Sequence, residues 1–242
     1  MNLMLTLLAL LAATAAGATC RDITFEDTPF TVCEAAASDD LRLFLNGPNG
    51  HYGTIAAVQT DLSRQGRSLT FAMNAGMFQP DLSPVGLYIE DGRQLTPIVT
   101  SDGPGNFGLL PNGVFCIGNR FSIVESRAFA AAPSDCRYAT QSGPILVIDG
   151  RLHPLFKPAS DSLHIRNGVG VSPDGRTAWF AISNRVVNFA RFARLFRDAL
   201  GAPDALYFDG SVSRLMSRDL GRSGAGFSVG PIVGLVQSQG GE

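Results

Sequence analysis

One carboxylate in the chain is set apart by its surroundings. Asp209 ends the apolar run of residues 205–208 and is followed by the small, hydroxyl-rich segment Gly-Ser-Val-Ser. Backbone amides and hydroxyls in such a segment can bind an anion beside the carboxylate. Of the four other Asp-Gly pairs, those at Asp149 and Asp174 return at once to strand-like sequence, as a hairpin turn does. By spacing alone, a surface turn and a functional carboxylate explain Asp209 equally well.

Three further segments place a polar residue beside small residues at the expected end of a strand. Asn74 lies in "FAMNAGMF", Ser142 in "TQSGPILVIDG" and Arg166 in "SLHIRNGVG". Small residues let the backbone approach a ligand closely. Each segment alone is explained by an ordinary strand end, but together they predict a site with an amide, a guanidinium and a carboxylate. The predicted catalytic residues are Asn74, Arg166 and Asp209, and the predicted substrate-binding residues are Ser142, Gly143, His164, Gly210, Ser211 and Ser213.

The sequence motifs of several classes of enzyme and binding protein are absent from the chain. The chain has no nucleophile elbow, zinc-protease helix or phosphate-binding P-loop, and its three histidines lack metal-ligand spacing. We therefore predict neither a metal ion nor another cofactor. The formal net charge of −2 provides no basic footprint for nucleic acid.

Short strands and tight turns dominate the expected secondary structure. Four hairpins are predicted around turns at 91–92, 118–119, 149–150 and 174–175, and further strands at "TIAAVQTDL" and "SLTFAMNAGMF". One amphipathic helix is predicted at about 188–200, with Asn188 as its N-cap and Gly201 after its end, and the strand "ALYFDG" should pack against it. The expected fold class is α+β: a single domain with a β-rich mixed sheet, hairpins and at least this one packed helix.

The N-terminus has the pattern of a targeting segment. Residues 3–13 are apolar but too few to span a bilayer, and small residues follow up to Ala18. We expect a secretory signal peptide at 1–18 and one domain at 19–242, without a further membrane-spanning segment, in an exported protein that is periplasmic or secreted. A lipoprotein anchored through Cys20 is the alternative, which Thr19 disfavours.

Four cysteines in an exported chain predict two disulfides. Four cysteines allow three pairings. The pairing of Cys20 with Cys33 and of Cys116 with Cys136 is favoured because each pair brackets a hairpin or a short loop.

The polar segments also carry a resemblance to a known family. "NAGMF", "SGPILVIDG", "RNGVG" and "ALYFDGSVS" are similar in order and spacing to segments of the phosphodiester glycosidases, the family of the mammalian uncovering enzyme. The resemblance extends over roughly residues 45–237. The chain departs from the family pattern at Ala75, Met77 and Asn167, and it lacks the glycine run after Asp209. These departures indicate a bacterial, exported branch with its own substrate.

The resemblance implies a hydrolase that cleaves a sugar-1-phosphodiester, small or part of the cell envelope, to free sugar and a phosphate monoester. It implies Asp209 as base or carbocation stabiliser and Arg166 as the phosphate ligand. Asn74 and Ser211 would orient hydroxyls, and His164 would be a reserve acid or base. The main alternative is a non-catalytic protein that binds envelope glycan or phosphoglycan. A phosphodiesterase that cuts the P–O bond ranks third, since such enzymes usually need a metal site.

Overall fold

The computed structural model describes residues 19–238, so the predicted signal peptide at 1–18 lies outside the described residues. Three helices are described: α1 (Ile55–Arg64), α2 (Ser126–Ala131) and α3 (Phe189–Arg194). The strands are β1 (Cys20–Phe25), β2 (Thr28–Ala36), β3 (Asp40–Phe44), β4 (Asn46–Gly47), β5 (Gly50–His51), β6 (Arg67–Asn74), β7 (Tyr88–Glu90), β8 (Arg93–Thr96), β9 (Gly113–Ile117), β10 (Phe121–Glu125), β11 (Tyr138–Ser142), β12 (Ile145–Ile148), β13 (Arg151–Leu152), β14 (Asn167–Val171), β15 (Thr177–Ser183), β16 (Asp204–Asp209), β17 (Leu215–Ser217), β18 (Arg222–Ser223) and β19 (Ile232–Ser238).

The strands form three main sheets and one small ribbon. Sheet 1 has the order β1-β2-β15-β14-β16-β12-β13, sheet 2 the order β10-β9-β11-β7-β8, and sheet 3 the order β18-β17-β6-β19-β3. Strands β4 and β5 pair separately. Every pairing between described strands is antiparallel, where a mixed sheet was predicted. The α+β class is confirmed, and the short hairpin connections explain why antiparallel pairing prevails.

One core lies between the three sheets. Its centre is a set of fully buried phenylalanine rings: Phe71 of sheet 3, Phe115 of sheet 2, and Phe180 and Phe208 of sheet 1. The ring centroids of Phe71 and Phe180 are 5.3 Å apart, and those of Phe115 and Phe208 are 6.3 Å apart. Burying each ring stabilises the fold by roughly 2–3 kcal/mol. Phe208 therefore anchors the end of β16 directly before Asp209.

A helix covers the outer face of each sheet. The fully buried Phe192 and Phe196 pack the α3 segment on sheet 1, beside Tyr207 of β16. Helix α1 packs on sheet 3, and Phe129 of α2 packs among residues of sheet 2. Strand β16 is consequently buried on both faces, as its unbroken apolar run predicts.

The segment "TIAAVQTDL" is helical, and its prediction as a strand was wrong. Thr54 caps α1 by accepting a hydrogen bond from the Ala57 amide at 3.1 Å. The buried residues Ile55, Val58 and Leu62 recur at helical spacing on the face that contacts sheet 3. The N-cap and this spacing were the signals of a helix, and they decide against a strand.

The predicted helix at about 188–200 is confirmed, with a change of geometry halfway. Asn188 caps α3 through the Arg191 amide at 3.0 Å, and Gly201 has the expected positive φ of 67°. After Arg194 the chain continues as a π-helical turn, Leu195–Ala199. The wider turn rotates the buried face, so that Leu195 is buried and Ala199 is exposed.

All four predicted hairpins are present. Both predicted disulfides are present as well, Cys20–Cys33 between β1 and β2 and Cys116–Cys136 next to sheet 2. The Cys20 thiol is occupied by its disulfide and is not free to carry a lipid. Within residues 19–238, no helix has the length and apolar character needed to cross a bilayer.

Candidate functional site

The ends of four strands converge on Asp209. Asn167 begins β14 directly opposite Asp209, and a bulge in β16 places both Phe208 and Asp209 against this one residue. Ser142 ends β11, and its Oγ donates to the Phe208 carbonyl at 2.9 Å. Asn74 ends β6 in the neighbouring sheet. Bulges re-aim side chains and are frequent beside active sites.

Asn167 holds these strand ends together. Its Nδ2 donates to the Asn74 carbonyl at 2.8 Å and to Asn74 Oδ1 at 3.0 Å. Its Oδ1 accepts from the Asp209 amide at 3.1 Å and from Ser213 Oγ at 3.3 Å. Asn167 is fully buried, so these bonds are made away from water. Sequence reasoning treated Asn167 only as a departure from the family pattern, although an amide can bridge two strands where a threonine has a single hydroxyl.

Asp209 keeps a small exposed surface, which distinguishes it from the two asparagines of this cluster. Its side chain is 8% exposed, whereas Asn74 and Asn167 have no exposed surface. Its Oδ1 accepts from the Gly210 amide at 2.6 Å and from the Ser211 amide at 2.8 Å. Burial raises the pKa of Asp209 above its ordinary value, and the backbone amides of Ser211 and Gly210 oppose that rise. The carboxylate is thus fixed in direction and poised to take a proton.

Asn74 offers one unused donor. Its Oδ1 accepts from the Arg214 amide at 2.8 Å as well as from Asn167. Its Nδ2 is buried and has no hydrogen-bond partner among the described residues. A buried amide without a partner costs about 1–3 kcal/mol, which a bound ligand oxygen would recover.

The guanidinium of Arg166 lies apart from the Asp209 cluster. It is fully buried and stacks on the Phe189 ring, 3.6 Å from its centroid. Nε donates to the Val187 carbonyl and Nη2 to the Ser162 carbonyl, both at 2.9 Å. Nη1 has no hydrogen-bond partner among the described residues, so one donor is left for a ligand. Burial lowers the pKa of Arg166, and Tyr207 opposes that change.

Tyr207 lies between Arg166 and the Asp209 segment, and no pattern in the sequence singles it out. Its ring centroid is 5.4 Å from the Arg166 guanidinium carbon. Its hydroxyl is buried, has no hydrogen-bond partner in the described part of the chain, and lies so close to Gly210 that an added Cβ would collide with it. Burial raises the pKa of Tyr207, and the charge of Arg166 opposes that rise. The hydroxyl is therefore protonated at neutral pH and available as a donor.

The predicted substrate-binding residues fall into two groups. Ser142 and Ser213 are buried and position the strand ends, since Ser213 Oγ donates to the carbonyls of Ile165 at 2.9 Å and Asp209 at 3.0 Å. Gly143 packs against Asn112 where no side chain would fit. His164 and Ser211 are exposed, and Gly210 is half-buried. The exposed residues lie where an incoming ligand would meet them first.

Comparison with known proteins agrees with this architecture. Residues 67–234 match the family described as phosphodiester glycosidase. The uncharacterized protein YigE of Escherichia coli (strain K12) is 35% identical over 215 residues, which cover 88% of this chain and 83% of that protein.

A solved structure shares the fold. It is the catalytic domain of zebrafish N-acetylglucosamine-1-phosphodiester alpha-N-acetylglucosaminidase, auto-inhibited by its pro-peptide. The TM-score is 0.61 at 15% identity, with 89% of this chain and 81% of that chain covered. With the family match over most of its length and the bacterial relative, the chain belongs to the phosphodiester glycosidase family.

Proposed function

We propose that the chain hydrolyses sugar-1-phosphodiesters at the bond between the anomeric carbon and its oxygen. Water adds a hydroxyl to the anomeric carbon, the phosphate departs as a monoester, and the remaining proton passes through Asp209 to solvent. A phosphate monoester is a stable anion, so its departure depends little on a general acid. The site has to hold the phosphate, support a cationic carbon and activate water.

The placement of Asp209 is the observation that carries this proposal. A buried carboxylate is fixed by two backbone amides, keeps a small exposed surface, and has a raised pKa. These properties suit a base that must accept a proton from water, and equally a negative charge that stabilises a cationic carbon. In the proposal, Asp209 fulfils one of these two roles.

Three unused donors support the binding of an oxygen-rich substrate. They are Asn74 Nδ2, Arg166 Nη1 and the Tyr207 hydroxyl. Native proteins satisfy nearly all buried polar groups, so these three unsatisfied groups, which belong to residues packed around the ends of β14 and β16, favour a ligand site. We assign Arg166 and Tyr207 to phosphate oxygens, Asn74 and Ser211 to sugar hydroxyls, and His164 to the rim as a reserve acid or base.

We place this activity outside the cytoplasm. Two disulfides are expected in an oxidising compartment, either periplasmic or extracellular. The substrate is then a sugar phosphodiester that is small or part of the cell envelope. Fractionation of cells that express the full chain tests this placement, because retention of the uncleaved chain in the cytoplasm would contradict it.

The decisive experiment is turnover of UDP-N-acetylglucosamine and a panel of sugar-1-phosphodiesters, with Asp209→Asn in parallel and a chelator added to duplicate reactions. We expect free sugar and a phosphate monoester from the native chain, none from the variant, and the same rate with chelator. Measurable binding of a diester without turnover would instead favour a non-catalytic phosphoglycan-binding protein. Full activity of a folded Asp209→Asn variant would refute the role given to Asp209.

A further inference from the structure

Two adjoining cavities form a groove beside α1. Their volumes are about 660 and 280 Å³, and both have Ile55, Ala56 and Ser223 in their walls. The opposite wall comes from β17, β18 and the loop that follows them. We call this depression the α1 groove.

The α1 groove is lined by positive charge. Arg218 and Arg222 line the larger cavity and Arg214 the smaller one, and none of the described lining residues is acidic. The whole chain has a formal net charge of −2, so this concentration of cations runs against its average. A depression lined by one sign of charge raises the local concentration of ligands of the other sign.

The three arginines keep their charges available. Arg218 donates to Ser68 Oγ at 2.9 Å, and Arg222 donates to Asn184 Oδ1 at the same distance. Both partners are neutral, and none of the three arginines takes part in an ion pair between described residues. Asp219, the carboxylate next to Arg218 in sequence, is engaged by the Cys20 amide at 3.1 Å. The guanidinium groups are therefore positioned without a direct ion pair, and the charge of Asp22, which shares Thr31 Oγ1 with Arg222, acts on Arg222 alone.

The α1 groove begins where the Asp209 loop ends. The Arg214 amide donates to Asn74 Oδ1 at 2.8 Å, and the preceding residue, Ser213, hydrogen-bonds the Asp209 carbonyl. Arg214 Nε is buried and has no hydrogen-bond partner among the described residues. The backbone of Arg214 thus contacts the candidate site, while its side chain lines the smaller cavity of the groove.

We infer that the α1 groove binds the aglycone of the substrate, and that this aglycone is a phosphate-repeating glycan. The inference rests on the proposed function, since it takes the departing phosphate as the first unit of the chain. Amide and hydroxyl groups of Gln59, Ser68 and Gln237 stand between the cations and suit sugar hydroxyls. Phe227 in the smaller cavity, with its ring centroid 5.7 Å from the Arg214 guanidinium carbon, is the one aromatic residue in the described lining of the groove, so the larger cavity offers no ring on which nucleic-acid bases would stack.

Inorganic polyphosphate of medium chain length is a suitable probe, with binding measured by calorimetry at two salt concentrations. We expect the native chain to bind it, and to bind it more weakly at the higher salt concentration. The double variant Arg218→Gln/Arg222→Gln should bind about tenfold more weakly and with a shallower salt dependence. The matched control is Arg93→Ala/Arg151→Ala, which removes the same charge from two exposed positions elsewhere and should bind like the native chain.

Equal loss in the control, or none in the groove variant, would overturn the inference. So would tighter binding of a single-stranded oligodeoxythymidylate of similar charge, which would assign the groove to nucleic acid. The single variant Arg218→Gln loses only one side-chain hydrogen bond, to Ser68. It serves as a check that weaker binding does not come from misfolding. If polyphosphate binds as expected but no diester is hydrolysed, the proposed function fails and the anion groove stands.

Discussion

The same dipeptide occupies both ends of one pair of strands and behaves differently at each. Asp149-Gly150 closes the hairpin after β12, with φ values of 48° and 74° and open space around the glycine. Asp209-Gly210 follows the neighbouring strand β16 at its other end, without a positive φ, and packs against Tyr207. The first pair is a two-residue hairpin turn. The second holds a carboxylate.

The difference lies in what surrounds each pair. At residue 149 the backbone forms a solvent-exposed turn. Asp and Gly suit this turn because both tolerate a left-handed backbone conformation. At residue 209, Phe208 is locked in the core, Asn167 binds the amide, and the next two amides bind the carboxylate. The Asp-Gly dipeptide alone therefore does not distinguish a surface turn from a positioned carboxylate, whereas the burial of the neighbouring residues does.

The largest expected contrast between the two pairs is in activity. Asp209→Asn should lower kcat/KM about 1000-fold, because the base or cation-stabilising charge is removed. Asp149→Asn should leave kcat/KM unchanged, since Asn also suits a left-handed hairpin position. Both are measured with whichever diester the native chain turns over.

Stability and pH serve as controls for this contrast. Asp209→Asn should melt at the same temperature as the native chain or higher, because a buried charge is removed while the side-chain oxygen that accepts both amides is kept. As the pH falls through the raised pKa of Asp209, the native activity should decline above the range typical of an ordinary Asp. Equal effects of both substitutions on kcat/KM would abolish the distinction between the two ends.

The next largest expected effect is on stability and concerns Asn167, which hydrogen-bonds the strand ends around Asp209. Asn167→Ala should lower the free energy of unfolding by about 3 kcal/mol, since the Asp209 amide and the Asn74 carbonyl lose their partner. Asn119→Ala, at an exposed hairpin turn, should change it by less than about 0.5 kcal/mol. Urea denaturation of the two variants decides the matter, and equal midpoints would show that Asn167 does not hold the strand ends.

Replacing the glycine of each pair by alanine should destabilise the fold, but for different reasons at the two positions. Gly210→Ala should destabilise by about 2 kcal/mol because the added methyl collides with the Tyr207 hydroxyl. Gly150→Ala should cost about 1 kcal/mol through its positive φ alone. In a double-mutant cycle, Tyr207→Phe should relieve the loss at Gly210 and leave that at Gly150 untouched. If the losses of stability from Gly210→Ala and Tyr207→Phe were additive, the added methyl group would not collide with the Tyr207 hydroxyl.

The smallest expected effect tests whether a carboxylate with a shifted pKa is by itself enough to mark a functional site. Glu90 precedes the hairpin turn Asp91-Gly92, and burial raises its pKa to about 7. Its folded pKa exceeds the unfolded value, so the folded state loses stability as the pH rises from about 4.5 to about 7. Glu90→Gln should then stabilise the chain at pH 8 by roughly 1–2 kcal/mol, allowing for partial exposure, and by nothing near pH 4.5.

Thermal melts across pH measure this effect, with kcat/KM recorded alongside. We expect kcat/KM to be unchanged by Glu90→Gln. A large loss of activity would mean that the hairpin beside Glu90 belongs to the functional region, so that a hairpin turn can also hold a functional carboxylate.

Local signals made much of the fold predictable. The hairpins follow from turn residues between apolar runs, the helix after Asn188 from its cap and spacing, and the disulfides from short loops. The strand interpretation of residues 54–62 failed because the apolar run was weighed more heavily than the Thr54 cap. The π-helical turn after Arg194 has no local sequence signal, since it arises from packing on sheet 1.

The site was predictable only in part. Asp209, Asn74 and Ser213 were picked from small-residue segments, and the structure joins them. Their link, Asn167, and the hydroxyl of Tyr207 act through partners distant in sequence, which a single chain does not reveal. Arg166 was predicted as the phosphate ligand for its charge, yet its burial against Phe189 leaves only one of its donors without a partner among the described residues.

The arginines beside α1 have a consequence for turnover. A phosphate diester carries one negative charge per phosphate, whereas the monoester left by hydrolysis carries close to two. A cationic surface adjoining the reaction centre therefore retains the product more strongly than the substrate. For the proposed reaction, we therefore expect dissociation of the cleaved chain to be the slow step, and moderate salt to accelerate the catalytic cycle before it weakens substrate capture.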